Sequence, residues 1–94
     1  MRKNGRTDAN QSIIVRALRD AGASVLILSS VGNGCPDILA AKNGRTVLME
    51  IKDPTQKPAD RKLTEDERVF HALWRGEIAV VETPCEALRL VGIL

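Results

Sequence analysis

Asp37, Glu50 and Lys52 are the residues of this chain whose types and spacing are best suited to chemistry. They lie in one stretch, CPDILAAKNGRTVLMEIKD, over positions 35–53. An apolar run reaches Met49 and then gives way to Glu50-Ile51-Lys52, although charged side chains are seldom buried without partners. Two neighbouring carboxylates repel, and each raises the other's pKa. A divalent cation relieves that repulsion. Two carboxylate oxygens, a backbone carbonyl and several waters make a suitable coordination sphere for Mg²⁺. Such an ion polarises a phosphoryl oxygen and lowers the pKa of a bound water. A lysine beside it adds positive charge to orient that water or to stabilise a pentacoordinate phosphorane. The plain alternative is a strand end whose charges are simply solvated.

Chemistry at these residues requires elements that bring them together. Asp37 to Ala41 reads as a strand, Thr46 to Lys52 as the next, and Asn43-Gly44 between them is a strong hairpin signal. The turn falls nearly midway, so antiparallel pairing carries Asp37 and Glu50 to the same end of the hairpin. Alternation along the strand puts Leu48, Glu50 and Lys52 on one face and Val47, Met49 and Ile51 on the other. Upstream, Asp8 and Gln11 form a capping-box-like pair, and Ile14, Leu18 and Ala21 predict a helix over 9–21 that stops at Gly22. Val25 to Leu28 predicts a strand, and Ser29 to Pro36 a loop whose Gly32-Asn33-Gly34 bends the chain before Asp37. Downstream, residues 53–62 predict an exposed loop. Thr64 and Glu67 form a capping box, opening a helix with an apolar stripe of Phe70 and Trp74, Val69 and Leu73 that ends at Gly76. Ile78 to Val81 predicts a fourth strand. Thr83, Pro84 and Glu86 predict a cap, a first-turn proline and a capping-box partner for a helix over 84–91. The order α-β-β-β-α-β-α predicts one α/β domain over 1–94 with a mixed sheet.

Composition bounds the function. Apolar residues are 44% of the 94, with no Tyr, one Phe and one Trp, so the core must be aliphatic. The same scarcity argues against base stacking as the main binding mode. The net charge is only +2, but basic residues gather in the first sixteen positions (Arg2, Lys3, Arg6, Arg16) and around Lys57, Arg61 and Lys62. With Lys42 and Arg45, those last three are candidate phosphate contacts. A solvated tail and loop explain the same charges without a partner. Cys35 and Cys85 lack metal-ligand spacing and His71 is the only histidine, which argues against a zinc site. The thiols are expected free in a reducing cytoplasm, with a disulfide between them left open by the sequence. Met1-Arg2-Lys3 is followed by polar residues rather than a signal-peptide apolar run, and no run is long enough to span a membrane. Ser29 and Ser30 have no base nearby in sequence, and Gly32-Asn33-Gly34 lacks the Lys-Ser/Thr of a phosphate loop.

Cys35-Pro36-Asp37 followed by Met49-Glu50-Ile51-Lys52 resembles the PD-(D/E)XK nuclease motif. The wider set resembles the stand-alone virus-type replication-repair nuclease domains (VRR-NUC) of phages and bacteria. Its pieces are Arg6 to Gln11, Gly32 to Asp37, Glu50 to Asp53, Lys62-Leu63-Thr64 with Asp66, His71, and Trp74-Arg75-Gly76. The resemblance implies a restriction-endonuclease-like α-β-β-β-α-β core with a C-terminal helix. It implies Asp37 and Glu50 as ligands of Mg²⁺ or Mn²⁺, the carbonyl of Ile51 as a third ligand, and Lys52 as the catalytic lysine. The implied activity is hydrolysis of DNA phosphodiester bonds, similar to Holliday-junction resolvases, by a homodimer serving DNA repair in the cytoplasm of a bacterial or phage-infected cell. Two departures stand out. Ile13 occupies a position where many relatives carry a Glu that reaches the metal, with Gln11 the nearest polar residue. Glu67 stands where many carry a Gln. Gln11 and Glu67 are therefore candidates for supporting the site from behind, as is His71, which could contact phosphate or shuttle a proton, against the plainer reading of a partly buried structural histidine. The first departure motivates a rival reading, a catalytically weakened module that still binds branched DNA. A third is a protein-interaction domain with a solvated strand end.

Overall fold

The structure, a computed structural model, describes residues 6–93, with side chains from Ala9 onward. The basic residues Arg2 and Lys3 lie outside the described residues. Helix α1 spans Arg6–Asp20, followed by strands β1 (Ser24–Ile27), β2 (Ile38–Lys42) and β3 (Arg45–Ile51). A short 3₁₀ turn at Pro58–Arg61 leads to α2 (Glu65–Leu73), β4 (Glu77–Val81) and α3 (Pro84–Leu90). The element order is the one the sequence predicts, with the 3₁₀ turn added.

The four strands lie in the order β1-β2-β3-β4. β1 and β3 each pair antiparallel with β2, while β3 and β4 run parallel, joined by the crossover through α2. At the hairpin tip Asn43 has φ 53° and Gly44 φ 84°, the left-handed pair that a two-residue turn needs to match strand twist. That turn fixes the register: Lys42 opposes Arg45 and Ile38 opposes Met49. Asp37, one residue before β2, continues the ladder by donating its N–H to the Met49 carbonyl at 3.1 Å.

The core lies on one face of the sheet, under α1 and α3. Ile14 and Leu18 of α1 and Ala87 of α3 pack with Ile38, Met49, Ile51 and Val81, all essentially without solvent contact. Each large aliphatic side chain so buried stabilises the fold by roughly 1.5–3 kcal/mol. β3 is buried from Val47 through Ile51, so both of its faces are covered, and Glu50 must sit inside.

Three local expectations are corrected. α1 already includes Arg6, so Asp8 lies inside the helix rather than at its N-cap. α2 buries no residue completely, and Val69, Leu73 and Trp74 of the predicted apolar stripe, or just beyond the helix, are exposed. Phe70 is half-buried, and Phe70 and Trp74 stack on each other with centroids 5.5 Å apart. At α3, Thr83 caps as predicted, but the Glu86 carboxylate accepts from the N–H of Glu82, one residue before the position a capping box uses.

Candidate active site

The hairpin ends at Asp37 on one strand and Glu50-Ile51-Lys52 on the other. The Asp37 carboxylate reaches across and accepts a hydrogen bond from the Ile51 N–H at 2.7 Å. N–H and C=O of one strand residue point to the same side, so the Ile51 carbonyl also faces the Asp37 side. Glu50, only 4% exposed, projects to the opposite face from Met49 and Ile51. Lys52 follows β3 with its N–H donating to the Val81 carbonyl at 3.0 Å. Its ammonium lies 3.5 Å from Glu50 Oε2 and 3.0 Å from Oε1 of Glu67, which α2 brings in. The three residues picked out by type and spacing are thus brought together, with Glu67 as a fourth member.

Electrostatics at this cluster are dominated by burial. Glu50 is pushed up to about 9 by desolvation, then by the charges of Asp37 and Glu67. Asp37 is also raised by burial, against the pull of the Ile51 N–H. Burial pulls Lys52 down, but the hydrogen bond to Glu67 and the charges of Glu50 and Glu67 outweigh it and hold the ammonium above its ordinary value. Burial likewise opposes ionisation of Glu67, yet the Thr64 N–H and Lys52 hold it below the usual carboxylate range. Cys35 is raised by burial and by Glu50 and Asp37, which keeps its thiol protonated. Both cysteines are free thiols.

With Glu50 ionised, its buried Oε1 meets no hydrogen-bond donor among the described residues. A buried carboxylate oxygen left bare is costly, and a hard cation would satisfy it. Among the described residues no three or more His, Cys, Asp and Glu side chains converge on one metal position. A cation here would rest on Asp37, Glu50, the Ile51 carbonyl and water. That donor set fits Mg²⁺ or Mn²⁺, since Mg²⁺ keeps several waters and takes one or two carboxylates.

The remaining candidates divide. Glu67 serves both purposes weighed for it: it completes the capping box with Thr64 and it holds Lys52. His71, one turn later on α2, has a buried Nε2 without a partner and is lowered by burial, so its imidazole is neutral at pH 7. Gln11 does not join the site; its amide hydrogen-bonds the Ser29 hydroxyl at 3.3 Å. Lys42 and Arg45 flank the hairpin turn, at the far end of the strands from Asp37, and Arg45 is held by both oxygens of Glu77. Arg61 pairs with Glu82 at 3.2 Å. Lys57 and Lys62 are exposed on the segment between Lys52 and α2. Ile13 is 56% exposed and lines a depression with Asn10 and the Asp53-Pro54-Thr55 turn that leaves Lys52.

Asn10 has a structural role that its local sequence does not signal. Its amide donates to the carbonyls of Lys52 at 2.8 Å and Glu82 at 3.2 Å, tying the ends of β3 and β4 to α1. The only sequence signal for it was its place within the first matching piece of the VRR-NUC pattern.

No protein-family model matches the chain. No curated protein matches it either. Among solved structures, the chain is similar to one described as a "VRR_NUC domain", with a TM-score of 0.60 and 25% sequence identity over 94% of this chain and 96% of that one. The fold, an N-terminal helix, a four-stranded mixed sheet and two later helices, is the VRR_NUC fold. That fold implies a nuclease of the PD-(D/E)XK type. No described helix is long and apolar enough to cross a membrane.

Proposed function

We propose that the protein is a Mg²⁺- or Mn²⁺-dependent endonuclease that hydrolyses phosphodiester bonds in branched or duplex DNA and works as a homodimer. The observation that carries this reading is the meeting of Asp37, Glu50 and Lys52 at one hairpin end with a bare, buried Glu50 oxygen among them. Asp37, Glu50 and the Ile51 carbonyl would hold the metal, which supplies Lewis-acid activation of the phosphate and of a water nucleophile. Lys52 brings a fixed positive charge to the phosphoryl oxygens as charge builds on them. Burial around Glu50 and Lys52 makes that charge count for more than it would in water. Lys57 and Lys62, exposed on the segment that links Lys52 to α2, contact flanking phosphates and position the strand without reading its bases. Two copies related by a two-fold axis would offer two sites to a substrate of matching symmetry.

Labelled four-way junction, flap and duplex DNA, incubated with Mg²⁺, Mn²⁺ or EDTA, test this directly. Metal-dependent cleavage by the wild type that Lys52→Ala reduces at least 100-fold is the expected result. The exposed Ile13, in place of a carboxylate, favours one rival: a module that binds branched DNA with little cleavage. Under that reading no substrate is cut, yet junction binding survives Asp37→Asn.

A further inference from the structure

Lys52 carries a flexible four-carbon stem, yet its side chain is only 13% exposed and its ammonium lies between the carboxyl groups of Glu50 and Glu67. The shorter contact, 3.0 Å, is to Glu67. The oxygen that makes it, Oε1, is the same one that accepts the Thr64 N–H at 2.9 Å. Glu67's own N–H is bound in turn by the Thr64 hydroxyl at 3.2 Å. The capping box therefore does more than close the first turn of α2. It locks the Glu67 carboxylate in one rotamer, and the locked oxygen faces the lysine. The helix terminus is seated independently, because Gly34 lets the loop before Asp37 lie against the backbone of Asp66 and Glu67, where any Cβ would collide. One seam thus sets the spacing between the loop that delivers Asp37 and the helix that delivers Glu67.

We infer that Glu67 is a positioning residue for the reaction, acting through Lys52: its cap-locked oxygen holds the ammonium at the catalytic end of β3. This inference rests on the nuclease reading for its consequence and on geometry for its mechanism. Glu67 is not placed as a ligand, since no third carboxylate converges with Asp37 and Glu50 on one metal position among the described residues. Its work is to remove the rotational freedom of a long side chain before substrate arrives, which lowers the barrier by preorganisation rather than by new contacts with DNA. What is needed at 67 is an acceptor oxygen tied to the Thr64 N–H. A glutamine offers the same oxygen, because the capping box accepts Glu or Gln.

Three variants separate this role from simple capping. Glu67→Ala removes both the cap arm and the lysine's partner. Thr64→Ala removes a cap arm and leaves the partner. Glu67→Gln keeps both. Single-turnover cleavage should fall about 10–100-fold in Glu67→Ala, with the KM for DNA unchanged, and stay within threefold of wild type in the other two. Equal losses in Glu67→Ala and Thr64→Ala would overturn the inference, as would a Glu67→Gln variant no better than Glu67→Ala. A second readout does not depend on activity. In ¹⁵N-labelled wild type the Lys52 ammonium signal should be visible and slow to exchange with water, and Glu67→Ala should abolish it. If the wild type cleaves nothing while that signal is present, the nuclease reading fails and the lock stands. If the signal is absent from the wild type, the lock itself fails.

Discussion

Glu50 is the residue on which the site turns, because burial holds its proton tightly at the position where the proposed cation would have to displace it. Its folded pKa of about 9 lies far above the ordinary 4.5. A carboxyl raised in this way binds its proton more tightly folded than unfolded. Its stabilising contribution is complete below pH 4.5 and is lost as pH rises toward 9. His71, lowered from 6.5, acts in the opposite direction only below pH 6.5, and Glu67, lowered from 4.5, only below 4.5. Cys35, raised from 9.0, titrates above the window. Between pH 7 and 9, then, metal-free protein should lose stability at up to about 1.4 kcal/mol per pH unit. Urea melts in EDTA at pH 7, 8 and 9 measure that slope, and Glu50→Gln should flatten it. Added Mg²⁺ should stabilise more at pH 9 than at pH 7, because below the pKa the cation must displace a proton. A slope unchanged in Glu50→Gln would mean that some other group carries it.

At the scale of elements, the seams between segments matter more than the segments. Gly34 has φ 81°, and a Cβ there would meet the Asp66 carbonyl. Gly32 has nearly the same φ, 80°, with nothing within 4 Å. Gly32→Ala should cost only the left-handed conformation, about 1 kcal/mol. Gly34→Ala should cost a further 1–3 kcal/mol or so, and it should also slow cleavage by moving Glu67 away from Lys52. Thermal melts of the two variants side by side give the difference, and equal melting temperatures would remove the seam from the account. Asn10→Ala should destabilise by roughly 1–3 kcal/mol, since it leaves the Lys52 and Glu82 carbonyls short of a donor. The contrast explains what the sequence could disclose. The Asn43-Gly44 turn, the Thr64–Glu67 box and the alternation in β3 are local rules, and they were enough to place Asp37 and Glu50 at one hairpin end. Asn10 was invisible as a tether because its partners lie 42 and 72 residues away. The exposure of Val69 and Leu73 was hidden for a related reason: helical spacing reveals an apolar face but not whether the rest of the chain covers it.

At the scale of the whole molecule, that uncovered face bears on assembly. Leu73 is 73% exposed, with Val69 and Trp74 beside it, all on or just past α2, the helix that also supplies Glu67. Apolar side chains grouped on one helix face, in a chain with a core this small, suit burial against a second copy. The proposed homodimer would then join α2 to α2, and the two active sites would move as one body because each lysine's partner sits on the joined helix. Sedimentation equilibrium should return twice the 10.3 kDa chain mass for the wild type. Leu73→Glu should return the single mass, with little loss of monomer fold since that side chain is largely in solvent already. The substrate preference should change with the mass. A dimer can cut two strands of a four-way junction in one encounter, whereas the Leu73→Glu monomer should nick them independently and cut flaps about as well as before. A wild type that sediments as a monomer at all concentrations would end the symmetric-junction proposal and leave a nuclease of single flaps or nicks as the reading to pursue.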